Sequence, residues 1–92
     1  MGLGWLEMWF VYLLRCADDS LYAGVTNDLD RRCRQHNAGK ASRYTRCRLP
    51  ATLVYQEPAA NKSQALKREL ALKALPKRAK ETLARGQSRS SS

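Results

Sequence analysis

Trp9-Phe10-Val11-Tyr12-Leu13-Leu14-Arg15-Cys16, Ala17-Asp18-Asp19-Ser20 and Leu21-Tyr22-Ala23-Gly24-Val25-Thr26 together read as a β-hairpin. Two runs rich in aromatic and β-branched residues flank a cluster of turn formers. Alternation puts Phe10, Tyr12 and Leu14 on one face of the first strand, and Tyr22, Gly24 and Thr26 on one face of the second. Whether those faces coincide depends on the loop. If Cys16 pairs with Ser20 across three residues, Tyr12 stands opposite Gly24 and both tyrosines point the same way; a four-residue loop separates them. The odd-numbered loop is expected. Gly24 would then leave open space beside two phenols, room for a backbone or a substrate. The plainer reading is two half-buried strand tyrosines.

Outward from the hairpin, Asn27 is placed to cap a helix over 28–37, with Asp28 and Asp30 in its first turn and Asn37-Ala38-Gly39 as its stop. Residues 39–49 are basic and show no clean period. Pro50 introduces Ala51-Thr52-Leu53-Val54-Tyr55-Gln56, a third strand ended by Glu57-Pro58. Asn61 with Gln64 forms a capping pair for a helix through Leu75. Pro76 opens a last helix to about Ala84 or Arg85, with Gly86 as its stop. The order β-β-α-β-α-α predicts an α+β fold, a three-stranded antiparallel sheet flanked by helices. One domain over 9–85 is expected, with an N-terminal tail (1–8) and a disordered polar tail (86–92).

The 92 residues, 43% of them hydrophobic, suit one small domain and exclude a two-domain enzyme. The net charge of +9 is unevenly spread: residues 27–50 carry seven basic side chains against two acidic, and residues 61–92 nine against two. Such a balance favours polyanionic partners, nucleic acid first, through phosphate contacts and counterion release. Met1–Leu14 is apolar but has no basic start, carries Glu7 and meets Arg15 well short of the roughly 20 apolar residues that span a bilayer, so no membrane partner is expected. Cys16, Cys33 and Cys47 are odd in number and widely spaced, which predicts reduced thiols in a cytoplasmic protein, with no disulfide partner and no C-x-x-C zinc pattern.

Some residues sit oddly on their faces. On the first helix Leu29, Cys33, His36 and Arg32 share one arc, so a guanidinium and an imidazole project together from the docking face. That pair can grip a phosphate; the bland alternative is an arginine snorkelling beside a hydrogen-bonded surface histidine. On the second long helix, Glu69 falls within an apolar arc drawn through Leu66 and Leu70. It pairs with Lys73 at i, i+4, or it holds a divalent cation with water and substrate oxygens.

Phe10-Val11-Tyr12, Tyr22-Ala23-Gly24, then Leu29, Arg32 and His36, and finally Glu69 form an ordered set that resembles the GIY-YIG nuclease superfamily. Within it the chain looks most like the small stand-alone YhbQ-type proteins, also called UPF0213, which Ser42-Arg43-Tyr44-Thr45-Arg46 and Ala65-x-x-Arg68-Glu69 also resemble. FVY and YAG replace the family's GIY and YIG without removing a chemical group. The resemblance implies a three-stranded antiparallel sheet packed with helices and a metal-dependent phosphodiester hydrolase. Carried over by position, Tyr12 and Tyr22 are the motif tyrosines, Gly24 the motif glycine, Arg32 the catalytic arginine, His36 the position four residues later, and Glu69 the metal-binding glutamate.

The activity this implies is an endonuclease using one Mg²⁺ or Mn²⁺ on nucleic acid, DNA ahead of RNA, single-stranded or branched, in DNA repair or processing. Arg43, Arg46, Arg48, Lys62, Lys67 and Arg68 are candidates for tracking the phosphate backbone. Two rivals stand beside it: a nucleic-acid-binding module that has lost efficient catalysis, and a protein-interaction domain for an acidic partner. Neither rival requires Tyr12, Tyr22, Arg32, His36 and Glu69 together.

Overall fold

The structure, a computed structural model, describes residues 8–90, with side chains as far as residue 87. Strands β1 (Trp9–Arg15) and β2 (Leu21–Thr26) pair antiparallel with Tyr12 opposite Gly24. The Cys16 N–H donates to the Ser20 carbonyl at 2.9 Å, which closes the expected three-residue loop. Asp19 ends that loop at φ 70°, a left-handed position that aspartate tolerates better than most residues. Both tyrosines therefore share a face.

Strand β3 (Thr52–Ala59) pairs antiparallel with the other side of β1, giving the order β2-β1-β3, with a register irregularity between Leu13 and Leu14. It continues past its expected end at Gln56. As an edge strand β3 accommodates Pro58, which lacks an N–H, without losing an inner ladder bond. Central β1 is covered on both sides, and Val11, Tyr12, Leu13 and Leu14 are all buried. That is why its sequence reads as a continuous apolar run.

Helix α1 (Leu29–Asn37) lays Leu29 and Cys33 against the buried cluster of Tyr12, Leu14 and Ala51, which Tyr22 and Leu53 also cover. Asp28, and not Asn27, is its cap: Asp28 Oδ1 accepts from the Arg31 N–H, and Thr26 Oγ1 braces both the N–H and the carbonyl of Asp28. At the far end the Asn37 amide bonds both the N–H and the carbonyl of Ala51, tying α1 to the start of β3. The basic segment read as irregular contains one helical turn, α2 (Arg43–Arg46), capped by the Ser42 hydroxyl.

Helix α3 (Lys62–Ala74), capped by Asn61 on Gln64 as expected, covers the opposite sheet face. Its buried residues are Ala65 and Leu72, packed with Val11, Leu13 and Ala23. The face drawn through Leu66 and Leu70 is corrected: these two are 43% and 63% exposed. Small Ala65 lets the helix approach the sheet closely, and Leu72 contributes about 1.5–3 kcal/mol by full burial. Glu69, four residues after Ala65 and three before Leu72, flanks that buried face with its side chain only 13% exposed.

Helix α4 (Lys77–Ser90) runs through Gly86, past the expected stop at Ala84 or Arg85. A helical glycine costs about 1 kcal/mol against alanine. Here the Gln87 side chain meets the backbone N–H and carbonyl of Gln56 on the β3 edge, which gives the extra turn a partner. Arg15 adds a two-pronged ion pair to Glu81. Residues 1–7 and 91–92 of the proposed tails lie outside the described residues. Among the described residues no helix is long and apolar enough to cross a membrane.

Candidate active site

His36 is the centre of a buried hydrogen-bonded chain. Its Nε2 meets the Tyr12 hydroxyl at 2.9 Å and its Nδ1 meets Thr45 Oγ1 at 2.7 Å, with His36 1% and Thr45 0% exposed. Thr45 Oγ1 also reaches the Ser42 carbonyl at 3.4 Å, the only one of these contacts whose donor is unambiguous. With the threonine proton directed there, Thr45 accepts from Nδ1–H, and Nε2 is left to accept from the Tyr12 hydroxyl. The surface-histidine alternative is thereby excluded.

The four-residue turn α2 exists to present Thr45, and that residue escaped the sequence reading. Its signal was available: Ser42, a cap-forming residue, precedes Arg43-Tyr44-Thr45.

Burial is the main cause of the electrostatic character of this pair. It pushes the Tyr12 phenol well above its ordinary range, reinforced by Tyr22 and, more weakly, by Cys33 and Glu69, while Arg32 pulls the other way. Burial, then the Arg32 charge, holds the His36 pKa below its usual value. His36 is therefore a neutral acceptor at neutral pH.

The space expected above Gly24 is filled. A Cβ at Gly24 would stand 2.3 Å from Tyr12 Oη and 2.4 Å from Cζ, so the glycine admits the Tyr12 ring and not a substrate. Tyr22 is only half-buried. Its ring lies edge-on to His36 with centroids 5.4 Å apart and stacks on the exposed Tyr44 at 5.7 Å. The Arg48 guanidinium sits 3.9 Å from the centroid of Tyr44.

Arg32 and Glu69 approach from opposite layers, α1 and α3, and both charges act on the Tyr12 phenol. The Arg32 Nε is buried without an acceptor, and among the described residues no carboxylate pairs with this arginine. Glu69 is in the i, i+4 pair with Lys73 at 2.9 Å, its side chain 13% exposed, and this bond raises the lysine pKa.

Among the described residues no three His, Cys, Asp or Glu side chains gather to hold a metal. The donor set is one hard carboxylate, which fits a cation that keeps most of its waters and takes further oxygens from a phosphate substrate.

The six proposed backbone-tracking residues divide. Arg43 and Arg46 on α2 and Lys67 on α3 are exposed and carry no ion pair among the described residues. Arg48 is bound to Asp18 and Arg68 to Glu57, each at 2.8 Å, so neither is a free charge. Lys62 lies over the Trp9 indole at 5.5 Å.

Comparison with known proteins agrees with this architecture. The GIY-YIG catalytic domain matches residues 8–82. The UPF0213 protein of Cronobacter sakazakii is 45% identical over 82 residues, spanning 89% of this chain and 86% of its own. The UPF0213 protein DP2720 of Desulfotalea psychrophila is 49% identical over 76 residues, 82% of this chain and 69% of its own. The solution NMR structure of the UPF0213 protein BH0048 from Bacillus halodurans is similar with a TM-score of 0.52 at 42% identity, covering 83% of this chain and 81% of that one. With the tyrosines on β1 and β2 and the arginine, the histidine and the glutamate on the helices packed against them, the chain belongs to the GIY-YIG catalytic-domain family and, within it, to the UPF0213 proteins.

Proposed function

We propose that the protein is a metal-dependent endonuclease that hydrolyses phosphodiester bonds in nucleic acid, DNA ahead of RNA, single-stranded or branched DNA included, with a place in DNA repair or processing. The observation that carries this reading is the buried Tyr12–His36–Thr45 chain beside an arginine that, among the described residues, no carboxylate pairs with. A plain electrostatic surface has no need of a polar chain in its core, where each unpaired group is costly.

In the proposed reaction Arg32 neutralises charge developing on the phosphoryl oxygens, a role suited to its planar fork of donors. Tyr22, the more accessible phenol, orients the attacking water. The proton that this water gives up is taken by the Tyr12 oxygen as the Tyr12 hydroxyl proton moves to His36 Nε2, whose lone pair is kept available by Nδ1–H bonding to Thr45, leaving Tyr12 neutral and His36 protonated. Glu69 is the residue that would hold Mg²⁺ or Mn²⁺. Such a cation, when bound, polarises the phosphate and stabilises the leaving oxygen.

The Glu69–Lys73 pair favours a second reading, a nucleic-acid-binding module with little catalysis, because it occupies the one carboxylate a metal needs. The test is cleavage of labelled single-stranded, duplex and flapped DNA and of RNA, with Mg²⁺, Mn²⁺ or EDTA. Wild type is compared with Arg32→Ala and Glu69→Ala, each first shown to be folded by circular dichroism. Metal-dependent cleavage lost in both variants supports the nuclease. Tight, salt-sensitive binding without cleavage under any metal supports the binding module.

A further inference from the structure

A groove of about 310 Å³ beside Arg32 holds charge that the proposed reaction leaves unused. It lies where β2 gives way to α1, and its walls include Asp28, Arg31, Arg32, Gln35 and Lys40. Asp28, the one carboxylate among the lining residues, caps α1 through Arg31 N–H at 3.1 Å and offsets one of the three positive charges of Arg31, Arg32 and Lys40, so the groove stays net positive. Thr26 is likewise spent on the backbone of Asp28. Among the described residues no ion pair reaches Arg31, Arg32 or Lys40.

Single surface cations are ordinarily just solvated. Three that converge on one concavity repel each other unless an anion joins them. The donors present, a guanidinium fork at Arg31, a point charge at Lys40 and the Gln35 amide, are those that hold a phosphate. Arg32 belongs both to this groove and to the tyrosine–histidine cluster, so an anion in the groove is next to the reacting position.

We propose that the groove binds the backbone phosphate adjacent to the scissile one, with Arg31 and Lys40 fixing the direction in which a nucleic-acid strand crosses the centre. The assignment rests on the nuclease reading above and adds a binding site to it.

The test is fluorescence anisotropy of a labelled single strand of roughly 15 nucleotides, a length that fills a single-strand site, titrated in EDTA over a range of salt. Wild type is compared with Arg31→Gln/Lys40→Gln and with Arg78→Gln/Lys80→Gln, which removes the same charge from α4. The groove variant is expected to flatten the dependence of log K on log salt by about 1.4, two phosphate contacts at roughly 0.7 each. The α4 variant should keep the wild-type slope.

Equal flattening in both variants would mean a diffuse field and would overturn the groove, as would a wild-type slope in the groove variant. Cleavage by the same preparations separates the two ideas. A wild type that cuts while the groove variant keeps its slope loses only the groove. A groove-dependent slope without cleavage under any metal keeps a phosphate site and removes the reaction.

Discussion

Tyr12 occupies the volume that a side chain at position 24 would need, with its Oη 2.3 Å and its Cζ 2.4 Å from an ideal Cβ on Gly24. The two residues are direct cross-strand partners, so their distance is set by the sheet and not by a flexible loop. Gly24→Ala must push the ring away from His36. The expected result is destabilisation of about 1–3 kcal/mol in urea unfolding, as for other overpacked cores, with loss of any cleavage. Because Cζ is as close as Oη, adding Tyr12→Phe should not restore stability.

His36 gives a pH prediction that one nucleus can report, since the chain contains a single histidine. Burial and Arg32 lower its pKa in the folded state, so between that value and the unfolded value of about 6.5 the unfolded chain binds more protons. Stability therefore rises with pH across this window, is complete above about 6.5 and is lost as the pH falls through the folded pKa. An imidazole NMR titration should show a midpoint below 6.5, and the acid limb of the cleavage rate should follow it. A midpoint at or above the ordinary value would contradict the buried neutral imidazole.

Thr45 sets the histidine tautomer. Thr45→Val keeps the shape but leaves Nδ1 buried without its partner, at an expected cost of about 1–3 kcal/mol, whereas Thr45→Ser should retain most of the stability. Nitrogen chemical shifts of His36 distinguish the outcomes: Nδ1–H in wild type and the serine variant, a mixed or reversed tautomer in the valine variant.

Lys73 competes for the carboxylate that the nuclease reading assigns to a metal. The pair is an i, i+4 contact with the lysine 51% and the glutamate 13% exposed, so removing the lysine should cost on the order of 1 kcal/mol, more than a fully exposed pair, because the carboxylate left behind is mostly buried. Lys73→Ala is expected to reduce the Mg²⁺ concentration that gives half-maximal cleavage. Glu69→Ala should abolish the metal response at near wild-type thermal stability. An unchanged metal titration in Lys73→Ala would leave the pair a purely structural contact.

The hairpin, its register and both long helices were legible because each is encoded locally, by alternation, by a loop of defined length and by Asn61 or Pro76 at a helix start. Three features were not. The turn α2 is too short to show a period, and its purpose is a contact between Thr45 and His36 nine residues apart in sequence. The inward face of α3 was misjudged because Leu66 and Leu70 outweigh Ala65 in any hydropathy count, although close approach to a sheet favours the small residue. The stop at Gly86 was a sound local signal overridden by Gln87 reaching the edge of β3. At the site, residue types and order pointed to Tyr12, Tyr22, Arg32, His36 and Glu69. The filled space at Gly24 and the commitments of Arg48 and Arg68 needed coordinates.

The placement of Arg32 on α1 and Glu69 on α3 has an engineering consequence. These helices are docked on opposite faces of the sheet through separate apolar clusters. Alignment of the two charges thus depends on the thickness of a three-tier sandwich, so that on the nuclease reading loosening of either outer tier would misalign them. Thermal inactivation should then precede global melting. Cross-linking the tiers would extend the working temperature range more than further filling of either cluster.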